Sequence, residues 1–182
     1  DKEKELEREV DELLKRLEEH SKRVDKTVED VHRRNEEALR DMERKVREVV
    51  EKLKEVKERT KTEEVMRRLE RDVEKIKEDL RREVERVKEE NKRVLDEIRR
   101  SLEESEKRVR DIEKKLDEEV RKAGRRLEEV DRLRRELREV LKRNRESVER
   151  AEEKLKKSVK ELDERVKELE EELDRALDEL RK

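Results

Sequence analysis

Apolar side chains recur along this chain every three or four positions, and only an α-helix that buries one face can use such a spacing. One stripe runs from Leu6 to Val56, a second from Met66 to Ala123 and a third from Leu127 to Leu180. At about 100° per residue, each stripe covers an arc of only about 80° to 100°. The second is rotated by nearly half a turn from the first, and the third is offset by about 60° from the second. One rigid helix cannot use faces that point apart, so the chain must double back where the stripe shifts.

The first shift falls at Arg59-Thr60-Lys61-Thr62. There the threonines offer N-cap oxygens, and Glu63 and Glu64 complement the dipole of a new helix start. The second falls across Lys122-Ala123-Gly124-Arg125, where the only glycine is placed to end a helix in the left-handed region. Arg125 and Arg126 follow, where a well-capped start would have Ser or Asp. Helices are therefore expected at about 2–59, 63–122 and 126–181, with turns near 60–62 and 123–125. Three near-equal helices on short connections must run up, down and up. The expected fold is all-α: a single antiparallel three-helix bundle over residues 1–182, a rod roughly 90 Å long at 1.5 Å per residue.

The spacing also predicts the twist. Ile76 to Val94, Val94 to Ile112, Leu133 to Ala151 and Ala151 to Leu169 each step 4, 4, 3, 4, 3. Five core positions in 18 residues match an untwisted α-helix, whereas a heptad repeat demands a left-handed supercoil. A straight three-stranded coiled coil is expected, with a slight left-handed residue of twist allowed in the first helix, where one heptad joins two 18-residue units.

Composition closes other routes. There is no Pro and one Gly, so sheet-based folds lack turn residues. Charged residues make up 65% of the chain, but 58 basic and 60 acidic side chains nearly cancel and are finely mixed. That mixing favours i,i+4 pairs such as Glu18–Lys22, Glu89–Arg93 and Glu104–Arg108 over the self-repulsion of a disordered tail. The absence of Cys removes disulfides, thiolate nucleophiles and Cys-based zinc sites. The longest apolar run is two residues, too short for a membrane span or a signal-peptide core. A soluble protein, cytoplasmic on expression and native to no compartment, is the expectation.

The chain resembles computationally designed, parametrically generated helical bundles. The likeness rests on the 18-residue core repeat, the Glu/Lys/Arg surfaces, the Val/Leu/Ile cores and the equal helices, and it covers all 182 residues as a style, with no motif. It implies a de novo protein made to test or supply a scaffold. Uncapped Arg125 departs from that style.

Nothing in the sequence specifies a biochemical activity. Carboxylate pairs stand at helical spacing everywhere, on solvated faces that offer no cleft to shift a pKa. No phosphate loop or nucleophile elbow occurs. Ser147, near His20, lacks oxyanion donors. His20 and His32 sit on opposite edges of their stripe, about 120° apart, and cannot share a metal, which needs three or four convergent ligands. No catalytic residue, cofactor or metal is expected. Arg143-Asn144-Arg145-Glu146-Ser147 is faintly like a basic DNA-reading helix, but acidic residues interrupt it and Asn144 faces the stripe. Without Trp or Phe, a membrane-surface helix is equally unsupported. No nucleic acid, membrane, small-molecule substrate or obligatory partner is expected.

The informative exceptions are polar residues inside the stripes: Ser21, Asn35, Asn91, Ser105 and Asn144. Folding the chain back at its turns sets residue x level with about 122 − x in the second helix and 125 + x in the third. Asn35 and His32 then fall near Asn91 and Ser158, while His20 and Ser21 fall near Ser101, Ser105, Asn144 and Ser147. Two buried polar layers are expected, built on Ser21, Asn35, Asn91, Ser105, Asn144 and Ser158, which fix register because a misaligned helix leaves an amide unsatisfied. The alternative is hydrated residues at the stripe's edge.

The function expected is structural: a rigid, monomeric helical scaffold. A competing reading makes the chain a coiled-coil component that completes its narrow core by homo- or hetero-oligomerisation, with a pH response through His20 and His32 as one form of it. A natural spectrin-like spacer is a third, against which the missing aromatics count.

Overall fold

The computed structural model describes residues 2–57 and 62–182. They form three helices, α1 Lys2–Lys57, α2 Glu63–Ala123 and α3 Glu128–Arg181, joined into two compact units. One comprises 2–29 with Arg93–Lys154, and the other Asp30–Lys92 with Leu155–Lys182. We call them the Asn144 unit and the Asn91 unit.

In the Asn144 unit the early part of α1 supplies Val10, Leu13 and Leu17 to the core, late α2 supplies Val109 and Leu116, and early α3 supplies Leu133, Leu137 and Leu141. In the Asn91 unit the core draws on Met42, Val46 and Leu53 of α1, Val73, Leu80 and Val87 of α2, and Leu162, Leu169 and Leu173 of α3. Every one of these is a stripe residue. Each unit is a three-helix bundle in which the helices alternate in direction, as the ion pairs record. Within the Asn144 unit, Arg99 pairs with Glu152, Glu106 with Arg145 and Glu113 with Arg138, so α3 numbers fall as α2 numbers rise. The Asn91 unit has the same order in Lys77–Asp174, Arg81–Glu170 and Lys88–Asp163. Lys77 lies only 11% exposed, its stem along the core and its ammonium between Glu74 and Asp174.

The helix starts differ in chemistry. Thr62 caps α2: Val65 N donates to Thr62 Oγ1 at 3.2 Å and Met66 N to the Thr62 carbonyl at 3.1 Å. Thr60 and the rest of 58–61 lie outside the described residues, as does the expected extension of α1 to residue 59. At the second connection Gly124 has φ 65°, the left-handed value expected of it, and its N–H reaches the carbonyls of Val120 (3.1 Å) and Arg121 (3.2 Å).

The expected start of α3 at 126 is corrected to Glu128. Leu127 occupies the cap position, its carbonyl accepting from Asp131 N at 3.2 Å, and half-buries its side chain against the Asn144-unit core. A leucine has no oxygen for the first N–H groups. Arg126, a donor only, caps none of them and places its Nε 2.6 Å from Asp131 Oδ2. The end of α2 shifts by one residue, to Ala123.

Candidate functional site

Five polar residues are buried among the described ones: Asn35, Asn91, Asn144, Ser147 and Ser158. They collect at two levels, one in each unit.

In the Asn91 unit, α1, α2 and α3 contribute one member each. Asn35 Nδ2 donates to Asn91 Oδ1, and Asn91 Nδ2 returns a bond to Asn35 Oδ1, both at 3.0 Å. The second hydrogen of Asn35 Nδ2 goes to Ser158 Oγ at 3.0 Å, and that of Asn91 Nδ2 to the Val87 carbonyl at 2.7 Å. Ser158 Oγ also lies 2.8 Å from His32 Nδ1, and His32 Nε2 lies 2.8 Å from Glu36 Oε1. These contacts are all satisfied when His32 Nε2–H donates to Glu36 and the Ser158 hydroxyl donates to Nδ1 while accepting from Asn35. Both amides then use both hydrogens, and no buried donor is left over.

The level in the Asn144 unit is built differently. Asn144 is fully buried, and the Ser21 hydroxyl of α1 donates to its Oδ1. Asn144 Nδ2 has no hydrogen-bond partner. Two expected members of the buried layers, Ser21 and Ser105, are only half-buried. Ser105 does not reach Asn144; its hydroxyl bonds the Ser101 carbonyl of its own helix at 2.9 Å, the back-bonding that a short side chain adopts when nothing better is in reach. His20, half-buried, has an Nδ1 atom that is buried without a partner. Its pKa is lowered, first because burial penalises the charged form and then through the nearby Arg23 cation.

Ser147, outside the six residues expected, is as buried as the asparagines; it stands one position before stripe residue Val148, where α3 turns its widest face inward. Its hydroxyl accepts from Arg150 Nη2 at 3.1 Å, and it lines a groove with Ser21, apart from the groove that His20 lines. Ser147 and His20 thus form no nucleophile–base pair. In the stretch likened to a DNA-reading helix, Asn144 is buried and Arg143 and Arg145 engage Glu139 and Glu106. Among the described residues no group of three or more His, Asp or Glu is positioned to hold a metal ion, and no helix is long and apolar enough to cross a membrane.

No family model matches the chain, and no curated protein matches it. The chain is similar to a solved structure described as a computationally designed three helix bundle, at 18% sequence identity, covering 97% of this chain and 89% of that one, with a TM-score of 0.42.

Proposed function

We propose that the chain is a structural scaffold, a monomeric three-helix rod without substrate or catalysis, in which the polar layers set register. The observation that carries this reading is how completely the hydrophobic groups are consumed: among the described residues no large apolar side chain is exposed. A partner surface of ordinary strength needs apolar or aromatic anchors, and none is left to supply them. The Asn91 layer supports the register role, because sliding α1 or α2 by one turn would strand two amides whose bonds are otherwise complete.

Light scattering tests the monomer at two concentrations tenfold apart. A mass of 22.6 kDa at both is expected; a mass that grows with concentration overturns the reading in favour of a coiled-coil component that completes its core in an oligomer. Small-angle scattering tests the rod, for which the sequence predicts a length of about 90 Å.

A further inference from the structure

The scaffold reading leaves one cluster of the Asn144 unit unused. His20 lines a groove of about 390 Å³ between α1 and α2, together with Ser101 and Ser105. Arg16 and Arg23 of α1 and Arg108 of α2 line the same groove. Arg108 is held by Glu104 at 3.2 Å, but Arg16 and Arg23 have no ion-pair partner among the described residues. We propose that the His20 groove is a site for a small tetrahedral oxyanion, filled when His20 is protonated.

The chemistry follows from what each group lacks. His20 Nδ1 is buried, so an anion in the groove meets the Nε2 side of the ring; neutral imidazole can leave a lone pair there that repels it, whereas protonation puts a donor there without fail. Protonation alone is unfavourable in this place, since it adds a cation to a half-buried position beside unpaired guanidinium groups. An oxyanion removes both objections at once. It accepts from Nε2–H, from the guanidinium forks and from the Ser101 hydroxyl, whereas the Ser105 hydroxyl is engaged with the Ser101 carbonyl. Proton and anion must then strengthen each other's binding by the same factor.

The charges around His20 come from two helices. From α1 come Arg16, Glu19 and Arg23, and from α2 Glu104 and Arg108. Helix α3 adds no charge to this groove: its Arg143, Glu146 and Arg150 line the groove shared with Ser21. The two carboxylates reduce the attraction without cancelling it, because Glu104 is matched by Arg108 and a single further carboxylate, Glu19, shares the groove with two more arginines. His32 is the internal control. Both its nitrogens are already bonded, to Ser158 and Glu36.

The test uses the full chain and sulfate, which keeps its double charge from pH 5 to 8. The imidazole nitrogens of both histidines are titrated by NMR in sodium chloride and in sodium sulfate at equal ionic strength. Sulfate is expected to raise the His20 midpoint by about one unit, a tenfold preference for the protonated form, and to leave His32 unmoved. At pH 5.5 the Ser101 amide should shift saturably with sulfate, and Arg16→Gln with Arg23→Gln should abolish both effects while circular dichroism stays unchanged. Equal movement of both histidines would mean bulk screening, and no movement, or movement that survives loss of both arginines, would mean an adventitious ion only. Each of these outcomes overturns the proposal. None bears on the scaffold reading, which stands or falls with the mass.

Discussion

The Asn91 unit and the Asn144 unit are built from the same three helices and the same kind of stripe, yet their buried polar groups fare differently. In the first, two amides face each other, and Ser158 and the Val87 carbonyl take up the remaining amide hydrogens. In the second lie all three buried side-chain atoms found without a partner among the described residues, His20 Nδ1, Asn144 Nδ2 and Arg134 Nε. Helix α2, which starts in the Asn91 unit, is capped by Thr62, and α3, which starts in the Asn144 unit, has Leu127 in that place. A polar side chain inside a bundle thus helps only when its whole set of partners arrives with it. Asparagine against asparagine provides such a set, since each amide is both donor and acceptor; asparagine against a lone serine leaves hydrogens over.

Substitutions can break this comparison. Asn91→Leu should cost the most, about 1 to 3 kcal/mol in guanidinium unfolding, because it strands Asn35 in a buried site. Asn35→Leu added to it should recover part of that loss. Thr62→Ala should follow at about 1 kcal/mol, the usual worth of a lost N-cap oxygen. Asn144→Leu strands only a half-buried serine hydroxyl while removing an unpartnered amide, so its effect should lie within about 1 kcal/mol of zero. If it costs as much as Asn91→Leu, the difference drawn between the units is wrong.

The smallest effect is that of pH. The folded state holds the His20 pKa below that of the unfolded chain, by burial and by Arg23. Between the two values the unfolded chain binds the extra proton, so stability is full above about pH 6.5 and declines as pH falls below it toward the folded-state value. In chloride buffer, amide hydrogen exchange near Leu17 and Val24 should quicken over that window, and His20→Gln should remove the trend.

Much of this was legible in the spacing of apolar residues. The stripes locate the bounds of α2 and α3 to within two residues, and the expected α3 register places Glu29 by Lys154 and Glu7 by Arg132, as found. The α2 register is off by two to four, for Glu9 meets Lys115, Arg34 meets Glu90 and Asn35 meets Asn91. That error comes from setting the reversal point one or two residues early, where stripe positions say nothing. The meeting of Asn35, Asn91 and Ser158 was legible because two in-stripe amides at one level have few other ways to be satisfied. Ser105 was not, because periodicity reports which face a residue occupies and is silent on whether a short hydroxyl will reach across or fold back on its own helix. Ser147 shows the same limit from the other side: α3 buries a wider arc than its stripe.

Gly124 carries a last implication. A Cβ built there would meet nothing within 4 Å, so the obstacle to any other residue is its φ of 65° alone and not lack of room. That obstacle belongs to L-amino acids, and its mirror image has none. Replacing the glycine with D-alanine by chemical ligation would keep the bend, narrow the choices open to the unfolded chain, and firm the junction by about 0.4 to 1 kcal/mol.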